Sequence, residues 1–411
     1  MPFREVSIVD QRREFIAFAV KDGANIRELC RRFGISRQTA YKWLERYRRE
    51  GLEGLNDRSR RPKRSPRQTA PIMEAKVLEL RELSNNVWGG RTIKYRLEKL
   101  GEAGVPAAST ITEILRRYDR LTEAGAAAHP GPWQRFERPS PNELWQMDYK
   151  GHIAMHGGGR CHPLTVLDDH SRYNIVLAAC GDERGATVGG HLRPAFRCYG
   201  LPLAMLMDNG TPWGDPGGDP YTSFSVWLMR LGIKVLHGRP YHPQTQGKEE
   251  RFHRTLKAEV FNGKSFLDLA DCQRAFDKWR PRYNHERPHQ AIGMATPAER
   301  YQPSSRPFTE VLPPIEYAPG DHVRKVSSDG FINFKNKAWR LSKAFRGEHI
   351  ALRPTTEDGR FDVHYCAHRI ANLDLRQAAS EACGLVDNPE TRSPQGPQAQ
   401  QQQQQQPDLD R

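Results

Sequence analysis

Three carboxylates stand where the surrounding apolar pattern gives them no ordinary reason to be. Asp148 lies within the alternating stretch LWQMDYKG, and Asp208 ends the wholly apolar run LAMLM at 203–207. Glu250 lies on an amphipathic stretch, GRPYHPQTQGKEERFHRTLKAEV, at 238–260. A carboxylate emerges from an apolar strand for a function or for a buried partner. Three hard oxygen ligands suit Mg²⁺ or Mn²⁺, and do not suit zinc. Two such ions held together activate an attacking oxygen and stabilise a leaving one, which is the chemistry of phosphoryl transfer.

Glu249 competes with Glu250 for the third place. At about 100° per residue, Phe252, Leu256 and Val260 share one arc of the helix, and Glu249 falls inside it. Arg254 and Lys257 flank Glu250 on another arc, placed to hold substrate phosphates. Glu249 is therefore read as a helix-start residue near the positive end of the dipole. Asp168, Asp169 and Asp182 are also acidic and near strands, and are read as turn residues.

An α/β layer must position these groups. Residues 144–155, 161–167 and 173–179 read as antiparallel strands, with Gly157, Gly158 and Gly159 at the first turn. Residues 203–207 and 233–236 read as short buried strands. Helices are expected at 186–199, 223–231 and 267–283, and the segment 242–247 reads as a mobile loop. Asp208 then sits at the C-terminal edge of its strand, where open α/β sheets place ligands.

The remaining chain reads as machinery for a polyanion. The net charge is +14, and residues 1–70 carry 18 Lys and Arg against 9 Asp and Glu. Nucleic acid is the natural partner for such a balance. Within residues 1–55, three helices are expected: 10–21, 25–33 capped by Asn25, and 36–50 capped by Ser36, with a tight turn at Gly34 and Ile35 and a stop at Gly51. Trp43, Leu44 and Tyr47 face the core at helical spacing. Arg37, Gln38, Thr39, Lys42 and Arg46 remain outside. That is a helix-turn-helix layout, in which Arg and Gln suit guanine and adenine edges and Lys42 and Arg46 suit phosphates.

A basic linker with two prolines follows at 56–70. Residues 71–118 read as a second helix-turn-helix-like set (72–83, 91–100 and 109–118, the last capped by Ser109), and an Ala-, Gly- and Pro-rich linker covers 119–139. The α/β core spans 140–305. Six short strands within 316–376 (322–326, 331–334, 338–341, 349–352, 361–365 and 369–373) read as a small β-barrel. The Gln-rich tail 385–411 has no means to form a core and is expected to be disordered.

A chain of 411 residues with 37% apolar residues allows several cores. Mean hydropathy is −0.77 and no long apolar run occurs, so no membrane span is expected. The first residues lack an apolar signal region, and seven cysteines form no CxxC pair, which together favour reduced thiols and a cytoplasmic setting.

The segments LWQMDYKG, TVLDDHSRY, LMDNGTPW, GRPYHPQTQGKEERFHRTLK and YNHERPHQAIGMATPAERY resemble, in this order, the integrase core of bacterial insertion-sequence transposases, relatives of retroviral integrases. The resemblance is strong over 140–305 and looser in the flanks. It implies an RNase H-like mixed sheet with an all-α N-terminal part and an SH3-like barrel at the C-terminal end. It implies a DDE triad on Asp148, Asp208 and Glu250, two Mg²⁺ or Mn²⁺ ions, and a grip on the transposon end by Arg254 and Lys257. It also implies binding of terminal inverted repeats in double-stranded DNA, hydrolysis at the element's end, strand transfer by the freed 3′-OH, and a dimer or larger assembly. Two departures stand out. Asp208 and Glu250 are separated by 41 residues, more than is common, with the surplus placed at 214–220. The zinc-binding His/Cys module of retroviral integrases is absent, since the first histidine is His129. A non-catalytic DNA-binding regulator and a nuclease without strand transfer are the alternatives.

Overall fold

The computed structural model describes residues 7–58, 68–121, 137–214, 219–238 and 247–376. Most of the 56–70 and 119–139 linkers, the 242–247 loop except Gly247, the centre of the 214–220 segment and the Gln-rich tail lie outside the described residues. The chain divides into two compact units, up to Thr69 and from Ala70.

In the first unit, helix α1 (Ile8–Ala19) starts two residues before the expected Asp10, because Ser7 accepts a bond from the Asp10 amide and caps it there. Asn25 caps α2 (Ile26–Phe33), accepting from the Arg27 and Glu28 amides at 3.1 and 3.2 Å. Gly34 ends α2 at φ 64°, a left-handed position that suits glycine. Ser36 caps α3 (Arg37–Glu50) by accepting from the Thr39 amide. Phe15, Ile16, Cys30, Ala40, Trp43, Leu44 and Leu55 form the buried core. Leu55 reaches it from a short 3₁₀ turn, Gly51–Leu55.

The second unit opens with α4 (Pro71–Leu83), α5 (Gly90–Lys99) and α6 (Ala108–Arg117), packed around Val77, Ile93, Ile111 and Leu115. Gly90 is required here, since a Cβ would lie 2.3 Å from the Ala108 carbonyl oxygen. The expected Ser109 cap is not formed. Helix α6 begins at Ala108 with no side-chain cap, and Ser109 sits exposed in its first turn. Pro106 holds its predecessor extended, and the helix starts almost at once after it.

The α/β core carries β1 (Trp145–Tyr149), β2 (Ile153–Ala154), β3 (Arg160–Asp168), β4 (Asn174–Cys180), α7 (Gly185–Tyr199), β5 (Ala204–Met207), α8 (Ser223–Arg230), β6 (Lys234–His237), α9 (Gly247–Leu256), α10 (Leu269–His285) and α11 (Pro297–Arg300). The sheet order is β4-β3-β1-β5-β6, with β2 paired to the start of β3. Pairs β4–β3 and β3–β1 are antiparallel, while β1–β5 and β5–β6 are parallel. Strand alternation separates two faces. Trp145, Met147, Leu164 and Val166 join Leu192 and Phe196 of α7 on one side. Cys161, Leu167 and Leu177 meet Phe252, Leu256, Phe276 and Trp279 of α9 and α10 on the other. Asp148, between the positions of Met147 and Tyr149, belongs to the α9 side.

The C-terminal strands form where expected: β7 (His322–Lys325), β8 (Phe331–Phe334), β9 (Lys337–Arg340), β10 (His349–Pro354), β11 (Arg360–Tyr365) and β12 (His368–Asp374). They pair as a four-stranded antiparallel sheet, β12-β11-β10-β7, and a β8–β9 hairpin. This strand-rich region shares one buried cluster with the α7 and α8 side of the core. Tyr221 joins them, its hydroxyl donating to the Ile370 carbonyl at 2.8 Å and its ring meeting Phe345 at 5.1 Å. Among the described residues, six cysteines are free thiols, and no helix is long and apolar enough to cross a membrane.

Candidate functional site

Parallel pairing of β1 with β5 sets Trp145 against Met205 and Gln146 against Leu206. Two residues further along the same register, Asp148 and Asp208 leave the sheet side by side, on strands spaced about 4.8 Å apart. Asp148 Oδ1 accepts from the Tyr149 amide at 2.8 Å, and Asp208 Oδ1 from the Gly210 amide at 3.0 Å. His237, at the end of β6, fixes the Asp208 backbone by donating from Nδ1 to its carbonyl at 2.9 Å. Tyr149 stacks on the buried Trp213 of the LMDNGTPW motif, ring centroids 5.7 Å apart, which ties the loop after Asp208 back to β1.

Helix α9 packs across β1 and supplies the third carboxylate. Glu250 is exposed and shares its side of the helix with the exposed Arg254 and Lys257, as the helical phase requires. Asp148 feels this arrangement. Burial first, then the negative charges of Asp208, Glu183 and Glu250, push its carboxyl up to about 7, against the lowering effect of the Tyr149 amide. Burial likewise raises Asp208.

Glu249 lies in the first turn of α9 and on its apolar arc, as the helical phase places it. Its side chain is fully buried between α9 and β3. Thr165, the cross-strand partner of Asp148, explains this. Its Oγ1 lies 3.0 Å from the Asp148 carbonyl oxygen, 3.0 Å from Glu249 Oε2 and 2.8 Å from His253 Nε2. A hydroxyl has one proton to give and two lone pairs to share. The hydroxyl donates its proton to the Asp148 carbonyl or to Glu249 Oε2 and accepts from the His253 N–H. Burial and the nearby Asp148 hold Glu249 well above the usual carboxylate range, and burial pushes His253 down to about 3, so the imidazole is neutral at neutral pH. The neutral His253 turns Nδ1 toward Asp148 Oδ2, 3.9 Å away.

The other acidic residues divide as expected, with one addition. Asp168 ends β3 and accepts from the Asn142 amide and from Ser171, while Asp169 accepts from Gln146 and the Arg138 amide and pairs with Lys248. Asp182 accepts from the Arg184 amide and Thr187 just before α7. These are turn and helix-start anchors. Glu183 is the addition: it adds negative charge at both Asp148 and Asp208, and its Oε1 lies 2.7 Å from His162 Nδ1. Its signal in the sequence was its place at the end of a strand, the same edge that carries Asp208.

All three candidate ligands offer only carboxylate oxygen, which fits Mg²⁺ or Mn²⁺. The field that raises Asp148 is also one that attracts a cation. Among the described residues, no three His, Cys, Asp or Glu side chains converge closely enough to hold a metal ion. The expected three-carboxylate ligand set is thus gathered at one sheet edge without being closed, and α9 begins directly after residues outside the description.

In the first unit, Arg37, Gln38 and Lys42 are exposed along the N-terminal half of α3, joined by Tyr41, 59% exposed, which the sequence reading passed over. Thr39 is half-buried, its hydroxyl 2.9 Å from that of Ser36. Arg46 is held internally: its guanidinium lies 4.6 Å from the Trp43 ring centroid and donates to the Asn56 carbonyl at 3.1 Å.

Family models match along the whole course of this architecture. A helix-turn-helix domain matches 11–63 and a homeodomain-like domain 39–115. Integrase core domains match 138–243 and 231–297, and the C-terminal domain of the IS481 family transposases matches 321–381. Fold and matches together define an integrase-core protein of the polynucleotidyl transferase class. The matched domains are those of bacterial insertion-sequence transposases and retroviral integrases, an integrase core followed by an IS481-type transposase C-terminal domain. It is 27% identical over 275 residues to the insertion element IS476 uncharacterized 39.2 kDa protein of Xanthomonas euvesicatoria, covering 66% of this chain and 76% of that one. It is 23% identical over 363 residues to the putative transposase for insertion sequence element IS5376 of Geobacillus stearothermophilus, covering 86% and 85%. Among solved structures, the HTLV-2 integrase catalytic core domain in complex with magnesium aligns with a TM-score of 0.30 at 18% identity, covering 39% of this chain and 97% of that one.

Proposed function

We propose that this transposase cuts and joins DNA with a DDE site made of Asp148, Asp208 and Glu250. The observation that carries the reading is the placement of Asp148 on β1 beside Asp208, the first residue past the end of the parallel β5, with Glu250 on α9 close enough to act on the Asp148 charge. These three carboxylates would hold Mg²⁺ or Mn²⁺, which when bound polarises the scissile phosphate and activates the attacking oxygen.

The chain's own groups do the rest. Segments 1–55 and 71–118 read and grip the terminal inverted repeats, with Arg37, Gln38 and Lys42 facing base edges and phosphates. Arg254 and Lys257, one and two turns beyond Glu250, hold the phosphates that flank the scissile bond. The core, 140–305, presents the bond in line with an attacking water, and its hydrolysis frees a 3′-OH. That 3′-OH is then aimed at a phosphodiester of target double-stranded DNA in the same site, without a covalent enzyme intermediate. The 316–376 region contacts DNA without sequence preference. Two ends must be held at once, so a dimer or larger assembly acts on DNA in the bacterial cytoplasm.

The test is strand transfer with end-bearing oligonucleotides, a plasmid target and Mg²⁺. Both D208N and E250Q should lose at least about 100-fold in cleavage and joining, the scale of removing a main electrostatic element of a site. Full activity in either variant sinks the assignment. End cleavage without joining in the wild type would reduce the protein to a nuclease.

A further inference from the structure

About two turns beyond Glu250, the helix loses its regular form. Lys257–Phe261 is a π turn, and Glu259 within it is 2% exposed. A carboxylate at such depth needs donors, and three side chains from two segments supply them. Trp88, from the turn between α4 and α5, donates its indole N–H to Oε1 at 3.2 Å. Trp279 of α10 donates to Oε2 at 2.7 Å, and Arg287 to Oε1 at 2.7 Å. The π turn also receives help at its backbone. The Asn85 side chain donates from Nδ2 to the Ala258 carbonyl at 3.2 Å and the Asn262 carbonyl at 3.4 Å.

The turn that reaches in is itself built to be stiff. Asn85 and Asn86 are both left-handed, at φ 54° and 60°. Ser84 accepts from the Trp88 amide at 3.0 Å, and Arg81 donates to the Trp88 carbonyl at 2.6 Å. Arg282 of α10 donates to the Leu83 carbonyl. The outlying pairs Arg96–Glu286 and Lys99–Glu299 are partly exposed and contribute little by themselves. A buried ionic node is an inefficient way to gain stability, and its best-attested use is to fix register.

We infer that residues 84–88 and Glu259 form a joint that sets the position of α9, making Glu259, Trp88 and Asn85 positioning residues for the transfer reaction carried by Glu250. The inference rests on the DDE reading above. In the structure the second helical module is therefore clamped to the catalytic helix, in addition to any contact it makes with DNA. Displacement of the π turn moves Lys257, which it carries, and passes along the continuous α9 to Arg254 and Glu250. A shift of about 1 Å at a reacting centre is enough to slow chemistry by about 100-fold.

Glu259→Gln puts an amide N–H among three donors and is the variant most prone to misfold. Two milder ones keep the test open. Asn85→Gly keeps the left-handed backbone and removes only the amide, and Trp88→Phe removes the indole N–H while keeping an aromatic ring. In the full chain with Mg²⁺ and end-bearing duplex, each should lower kcat for end cleavage by about 10-fold with KM unchanged within about 2-fold. Hydrogen exchange of the amides of 247–261 should quicken by about 10-fold in both. An unchanged kcat in the two folded variants overturns the inference, as does a loss confined to KM. If the wild type itself neither cleaves nor joins, the DDE reading has failed. The joint is then judged by exchange alone, and unchanged protection of 247–261 overturns it.

Discussion

At the scale of single residues, adjacent glutamates have opposite fates. Glu250 faces the same side as Arg254 and Lys257, and Glu249 is buried against Thr165, where burial holds its carboxyl well above the usual range. Glutamine mimics a protonated carboxyl in shape and charge. E249Q should therefore melt within a few degrees of the wild type and keep strand transfer within about 3-fold, while E250Q abolishes it. Thermal melts beside the oligonucleotide assay check both, and the reverse ranking would move the triad to Glu249. Helical phase alone was enough to put Glu249 in the buried arc, since it needs only the 100° rotation. The reason a carboxyl is tolerated there was not legible. His253 is within reach by its i,i+4 spacing, but Thr165 meets it only after β3 has paired with β1 and α9 has crossed both, which no local spacing encodes. Glu183 was missed for the same cause: it reaches the site through sheet order, with β4 two strands away from β1.

At the scale of elements, local chemistry was the most legible. The caps Asn25 and Ser36 and the left-handed Gly34 are each decided within four residues, and the structure has all three. Ser109 shows the limit, because a capping type one residue inside the helix start looks the same in sequence. Helix α3 yields a prediction of its own, since its two cations with assigned phosphate roles differ. Lys42 is exposed, and Arg46 packs on Trp43 and ties down Asn56. K42A should weaken binding to every duplex alike and reduce the slope of log K against log salt by about one, with melting unchanged. R46A should cost about 1–2 kcal/mol of stability in the first unit through lost packing and a lost hydrogen bond. Salt titrations of binding, paired with melting curves, separate the two. A stable R46A with a reduced salt slope would return Arg46 to the DNA-facing set.

At the scale of the whole molecule, the described hydrophobic clusters respect the division near Thr69. One lies wholly before it and the other four wholly after it. The sequence separated a core at 140–305 from a strand-rich region at 316–376, yet in the structure one apolar cluster runs through both. Strand alternation announces that a face will be covered and leaves open by what; Tyr221, Phe345 and the Ile370 carbonyl settle it only in three dimensions. A chain beginning at Ala70 thus keeps each of its cores intact and should fold with the melting behaviour of the larger unit. Its formal charge drops from +14 to +5, because residues 1–69 hold 18 basic against 9 acidic groups. Loss of that arm should lower the salt slope of DNA binding by several units, since each neutralised phosphate contributes about 0.9. Discrimination between end-bearing and random duplex should fall by at least about 10-fold, while Mg²⁺-dependent cleavage of a pre-nicked end at high DNA concentration persists. If the shortened chain still distinguishes its ends as well as the full chain does, recognition belongs to α4–α6, and the α3 face of Arg37, Gln38 and Lys42 supplies charge without sequence.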